Sequence, residues 1–218
     1  MRKFIAFLCS ACLLAMWIVS AQAEALKGFS EQNGRLIYLD KDGNPVKNDT
    51  IGTFQFDSEG YYTSGDEELD EYVSEVVSDC VSSDMSQEEQ LKAVYNYMIL
   101  NCSYRMGNIY ETGAEGWQID EAKSLIEKKN RGNCYAYAAM FRELARAVGY
   151  PAEAYSGTIA GSDVKNTPHG WVEIVIEDET YVFDPEMQSV QLLQYNNSID
   201  MYMMKANSPE TDRWDYSR

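Results

Sequence analysis

The sequence predicts a mixed α+β protein. Three observations predict it: two apolar stripes at helical spacing between residues 69 and 102, short alternating strands between 170 and 183, and a Gly-, Asp- and aromatic-rich stretch before residue 66 with no helical period. The chain has 218 residues, 45% hydrophobic and 24% charged, enough length and apolar content for a buried core. These values exclude a disordered chain, a coiled coil and a collagen-like repeat. The formal net charge is -17. Such a surface repels phosphate backbones and anionic lipid, so no nucleic-acid or membrane-surface partner is expected.

Residues 1–23 read as an export signal rather than as fold. Arg2 and Lys3 precede an apolar run from Phe4 to Val19, and Ala21-Gln22-Ala23 has the form of a cleavage site. The run is too short for a confident membrane span, so a secreted or cell-surface protein with no stable span is expected. Cleavage there removes Cys9 and Cys12 and leaves Cys80, Cys102 and Cys134, an odd number in an exported chain. No two are spaced C-x-x-C, and His169 is the single histidine, which argues against a zinc site.

Residues 24–65 form a first segment. Tyr38-Leu39-Asp40-Lys41-Asp42-Gly43 is echoed by Gln55-Phe56-Asp57-Ser58-Glu59-Gly60. Each unit reads as a short aromatic strand followed by an Asp/Gly turn, and together they predict β-hairpin repeats. A calcium loop is not expected, because Tyr38 stands where its first ligand would be. The segment resembles the choline-binding-type repeats of bacterial cell-wall proteins. It lacks their tryptophans, with Phe29, Phe54 and Tyr61 standing near those places. The resemblance implies a cell-wall partner held by an aromatic cage.

Residues 66–218 form the main domain. Leu69, Tyr72, Val73, Val76, Val77 and Cys80 make one stripe. Ser86 to Glu89 is a capping-box pattern that opens a second helix, with Leu91, Val94, Tyr95, Met98 and Cys102 on one face. Cys80 and Cys102 both face the core between these helices, where a disulfide between them is one expectation and two buried reduced thiols the other. Residues 104–118 carry three glycines and read as a long loop, followed by a short helix from Asp120 to Lys129.

The chemistry gathers at three places. Gly132-Asn133-Cys134 is a turn leading straight into a helix that runs to about Val148, where Gly149 and Pro151 stop it. A thiol in a helix's first turn meets unpaired N–H groups and the positive dipole end, which favour thiolate. His169 opens a strand, with Trp171 on the same face. Asp184 ends a second strand beyond a turn at Asp178-Glu179, and Pro185 stops pairing there. Hairpin strands bring His169 and Asp184 within reach of one hydrogen bond. Nucleophile, base and orienter is the thiol version of a catalytic triad.

These three stretches, Gly132-Asn133-Cys134-Tyr135-Ala136-Tyr137-Ala138, His169-Gly170-Trp171-Val172-Glu173-Ile174 and Phe183-Asp184-Pro185, resemble in order the signatures of the transglutaminase-like superfamily. The resemblance spans about residues 85–190. It implies a papain-like core in which a helix carrying Cys134 packs on an antiparallel sheet carrying His169 and Asp184. It also implies cofactor-free acyl transfer through a thioester on a peptide or protein amide. The backbone N–H of Cys134 is one expected oxyanion donor, and Tyr104 and Trp117 are candidates for a second. Hydrolysis is expected to dominate. An amine acceptor must arrive unprotonated, which calls for a dry aromatic channel, and Trp171 with Trp117 or Tyr110 are its possible walls. The rival readings are a protein-glutamine crosslinker and a catalytically silent cell-surface binding protein.

Overall fold

The computed structural model describes residues 28–161, 165–196, 200–206 and 214–218. The proposed export signal at 1–23 lies outside them. No helix among the described residues is long and apolar enough to cross a membrane.

The N-terminal segment forms two small sheets. Strands β1 (Phe29–Gln32) and β2 (Arg35–Tyr38) make one antiparallel hairpin. Strands β3 (Asp49–Ile51), β4 (Phe54–Phe56) and β5 (Tyr62–Thr63) make a three-stranded sheet. The two echoed turns share one device. Asp40 Oδ1 accepts the N–H groups of Asp42 and Asn44 at 2.9 Å, and Asp57 Oδ1 accepts those of Glu59, Gly60 and Tyr61 at 2.8–2.9 Å. The aromatic residues are spent on packing. Phe29 lies edge-on to Phe54 at 4.7 Å, and the Arg35 guanidinium covers the Tyr61 ring at 4.3 Å. Tyr62 ties the segment to the main domain by donating to Glu143 Oε2 at 2.6 Å in the interior.

Helix α1 (Glu67–Cys80) is capped by Asp66, whose side chain accepts the N–H of Leu69, and it buries Leu69, Val73, Val76 and Val77. Helix α2 (Gln87–Asn101) opens with the full Ser86/Glu89 capping box and buries Leu91, Val94, Tyr95 and Met98. The short connection makes the pair antiparallel. The hydroxyls of Tyr72, early in α1, and Tyr97, late in α2, meet at 3.0 Å. That geometry defeats the expected Cys80–Cys102 bridge, and both residues are free thiols. Cys102 sits beside Tyr72, close enough for its charge to act on that phenol. Cys80, two turns further along α1, is roughly 12 Å from that level, beyond the reach of a disulfide. The stripes correctly gave the faces, but the two cysteines occupy opposite ends of the hairpin.

Helix α3 (Gln118–Glu127) starts two residues earlier than the expected Asp120 and ends before the lysines, with Trp117 and Lys128 as its caps. Helix α4 (Cys134–Ala147) is the centre of the domain. Every residue from Cys134 to Phe141 is buried, as expected of a helix packed on all sides. Against it lies a five-stranded antiparallel sheet made of β8 (Glu153–Ala160), β9 (Thr167–Ile176), β10 (Glu179–Phe183), β11 (Met204–Lys205) and β12 (Asp215–Ser217). Its order is β11-β10-β9-β8-β12. The β9–β10 turn falls at Glu177-Asp178, one residue before the expected place. Both residues are left-handed, which suits the twist of a two-residue hairpin. Two further short strands, β6 (Ser103–Tyr104) and β7 (Arg131–Gly132), pair in parallel, so the long loop starts alongside the approach to α4. Helix α5 (Pro185–Tyr195) follows β10. The whole is the α+β architecture expected: a helical layer carrying the Cys134 helix on an antiparallel sheet.

Candidate active site

Cys134 is the first residue of α4, and Asn133 is its N-cap. Asn133 Oδ1 accepts the N–H of Ala136 at 3.3 Å, while its amide donates to the Asn108 carbonyl at 2.6 Å. The loop is therefore stitched to the start of the helix. Gly132 is required there, because a Cβ would stand 2.5 Å from Ala136 Cβ and 2.8 Å from Leu125 Cδ1. First-turn N–H groups of a helix lack intrahelical acceptors, and that of Cys134 is one of them. The residue as a whole is buried, at 8% exposure.

Strand β9 brings His169 to this thiol. Gly170 makes the approach possible, since a Cβ there would meet Tyr135 Cδ1 at 2.7 Å and its Cα at 3.0 Å. His169 Nε2 lies 2.6 Å from Asp184 Oδ2, with both side chains in the interior. The imidazole also hydrogen-bonds Cys134. Burial pulls the imidazole pKa down, but the Asp184 charge and hydrogen bond, joined by Cys134, outweigh it and hold it well above the ordinary value. Both contacts favour the charged ring next to the thiol.

Asp184 is fully buried and does more than accept from His169. It is the N-cap of α5, with Oδ1 accepting the N–H of Met187 at 3.0 Å. Its Oδ2 also accepts the Tyr216 hydroxyl, from β12, at 2.8 Å. Burial and the Asp184 charge push the Tyr216 phenol well above its usual range, so it stays a donor.

The two oxyanion candidates part company. Trp117 is buried, and its single N–H donates to the Ala114 carbonyl at 3.0 Å while its ring stacks on Tyr110 at 5.4 Å. It has no donor left for a substrate. Tyr104 is 46% exposed and stands where the charges of Cys134, Glu186 and His169 act on its phenol.

Sequence reasoning missed Tyr216 and Glu186. Glu186 is buried in the first turn of α5, and burial raises its carboxyl pKa to about 7. Asp-Pro-Glu is a helix-start pattern of N-cap, Pro and first-turn acid, which is the signal that could have revealed it. Nothing in the local pattern marks Tyr216, which reaches Asp184 from 32 residues away. Ligand-type atoms of His169, Asp184 and Glu186 lie within 4.8 Å of one another, the one group among the described residues with a spacing a metal would accept. The imidazole is already engaged by Asp184 through Nε2 and by Cys134, so the trio is a hydrogen-bonded cluster rather than a ready metal seat.

A thiol at a helix N-terminus, a buried imidazole and a carboxylate, set between a helix and an antiparallel sheet, define a papain-like thiol site. The chain belongs to the transglutaminase-like superfamily, whose pattern matches residues 74–185, and so to a family of cysteine-type enzymes. Among solved structures it is similar to a candidate cysteine protease from Cytophaga hutchinsonii (16% identity, TM-score 0.38, 68% of this chain and 45% of that one). It is also similar to the periplasmic domain of TgpA from Pseudomonas aeruginosa (20% identity, TM-score 0.41, 59% and 45%). A third is a candidate protease from Parabacteroides distasonis (10% identity, TM-score 0.34, 53% and 22%). The chain thus spans less than half the length of each of these. No curated protein matches it.

Proposed function

We propose that this chain is an exported cysteine-dependent amide hydrolase that works through a thioester on a peptide or protein substrate. The observation that carries the reading is the buried 2.6 Å His169–Asp184 contact beside a thiol at a helix N-terminus. In this reading Cys134, His169 and Asp184 are the catalytic residues. The Cys134 thiolate attacks the amide carbonyl, forming the C–S bond. The oxyanion is met by the Cys134 N–H and the Tyr104 hydroxyl. His169 gives its proton to the leaving amine as the C–N bond breaks. Water then attacks the thioester as the imidazole takes its proton, the C–S bond breaks, the carboxylic acid departs and the thiolate–imidazolium pair is restored. Asp184 holds the ring through Nε2 and stabilises its charged form.

We favour hydrolysis over amine transfer because both tryptophans expected to wall an amine channel are spent on packing. Trp171 is fully buried with its N–H on Glu173 at 3.0 Å, and Trp117 is buried with its N–H on the Ala114 carbonyl. Of the expected walls only Tyr110 is partly exposed, and one ring is too little to strip the charge from an amine whose pKa is about 10.4.

The test is a peptide-library digest read by mass spectrometry, with and without about 1 mM of a primary amine such as cadaverine, a concentration well below that of water. Hydrolysed peptides should dominate, and Cys134→Ala should remove them. Amine adducts forming faster than hydrolysed product would make crosslinking the function. A library unchanged by the wild type would overturn the enzymatic reading.

A further inference from the structure

Glu186 has no part in the triad, yet it occupies the triad's interior. It is buried, and its carboxyl lies within 4.8 Å of both the His169 nitrogen and the Asp184 oxygen. Two carboxyls so close to one imidazole are more than orientation requires, because Asp184 alone fixes the ring at 2.6 Å. A buried acid is costly unless a partner compensates it. The cationic partner whose charge acts on Glu186 is His169.

We propose that Glu186 is a positioning residue for the thiol–imidazole pair: as a carboxylate it holds His169 in the imidazolium form, and so sets how far up the pH scale that pair survives. The inference rests on Cys134 and His169 acting as the reactive pair.

The titratable groups whose charges interact with Glu186 come from five places in the fold. They are His169 from β9, Asp184 from the β10–α5 junction, Tyr104 from β6, Tyr137 from α4 and Tyr216 from β12. Cys134 stands on the far side of the imidazole. Burial keeps Glu186 protonated to about pH 7, the His169 charge favours its ionisation, and the Asp184 charge opposes it. The three phenols are all raised, so none competes as an anion near neutrality. Ionisation of Glu186 therefore adds a negative charge next to the imidazole, where it resists loss of the imidazolium proton.

His169 is the single histidine of the chain, so its titration can be followed directly. The protein is labelled with 13Cε1-histidine and titrated by NMR from pH 5 to 10 as wild type, Glu186→Gln, Glu186→Asp and Cys134→Ser. In Glu186→Gln the imidazole midpoint should fall by on the order of one pH unit. A smaller inflection near neutrality, reporting Glu186 itself, should vanish. Glu186→Asp should retain an inflection, which a purely structural role would not. Cys134→Ser should lower the midpoint independently. If it does not, the reactive-pair reading fails while the Glu186 result still stands. A Glu186→Gln midpoint equal to wild type, in protein whose remaining spectrum is that of the folded chain, overturns the proposal.

Discussion

Replacing Glu186 by Gln should make the folded chain more stable at pH 8 and leave it nearly unchanged at pH 4. In the unfolded chain this carboxyl ionises near 4.5, and in the folded chain burial holds it protonated to about 7. Between those values the folded state keeps a proton that the unfolded state has lost, so stability falls as pH rises and levels off above about 7. Each pH unit of the gap is worth about 1.4 kcal/mol, which brings the whole to about 3 kcal/mol. Gln preserves the shape and carries no such cost. Urea unfolding followed by tryptophan fluorescence, at pH 4 and pH 8, isolates the effect as the difference between the two proteins. Expressed as Tm at pH 8, the variant should gain roughly 6–12 °C, on about 2–4 °C per kcal/mol for a chain of this size. A stability difference that does not change with pH would refute the reasoning. A gain at pH 8 accompanied by a loss of imidazolium would mark Glu186 as a residue that trades stability for chemistry.

Gly170→Ala should destabilise the fold by about 1–3 kcal/mol, because its methyl has to displace β9 from Tyr135. Thermal unfolding measures the loss, and an unchanged Tm would refute it. Tyr216→Phe should lower kcat/KM on a cleaved peptide by roughly tenfold, consistent with loss of a hydrogen bond to a charged acceptor worth about 1.5–3 kcal/mol. Unaltered kinetics would show that Asp184 needs no third partner. In haloacetamide labelling of the folded protein at pH 7, Cys134 should react first. Burial pushes the Cys102 thiol up to about 12 and raises Cys80 as well. A non-reducing peptide map should then show Cys80 and Cys102 uncrosslinked, and a Cys80–Cys102 peptide would contradict the antiparallel geometry of α1 and α2.

Much of the helical layer was legible because its signals are local. The Leu69–Val77 stripe, the Ser86/Glu89 box and the Asn133–Cys134 turn each lie within a few residues and match α1, α2 and α4. The stripes told which faces Cys80 and Cys102 occupy but not that they sit at opposite ends of the helix pair. The placement of His169 beside Asp184 followed from one hairpin. What pattern could not reach is non-local or short. Strand β12 has three residues and joins the sheet edge against β8, so Tyr216 enters through long-range pairing alone. Helix α5 has only a weak apolar stripe, and beyond its Asp-Pro-Glu start nothing in the local pattern sets Glu186 apart from the chain's many other acids. The N-terminal turns were visible as repeats, but their aromatic rings pack on one another and on Arg35, which composition could not disclose.

Asp184 closes two structures with one carboxyl, and this binds the site's integrity to the local stability of a single helix end. One oxygen caps α5 through Met187, and the other holds the imidazole. Fraying of the first turn of α5 and release of His169 are therefore one opening event, not two. Protein segments open in cooperative units well below the cost of global unfolding. The Met187 amide is thus a built-in reporter: its exchange with solvent hydrogen reads how readily the helix end held by Asp184 opens. A substrate analogue that keeps the imidazole in place should slow that one amide, while leaving the buried middle of α4 unaffected.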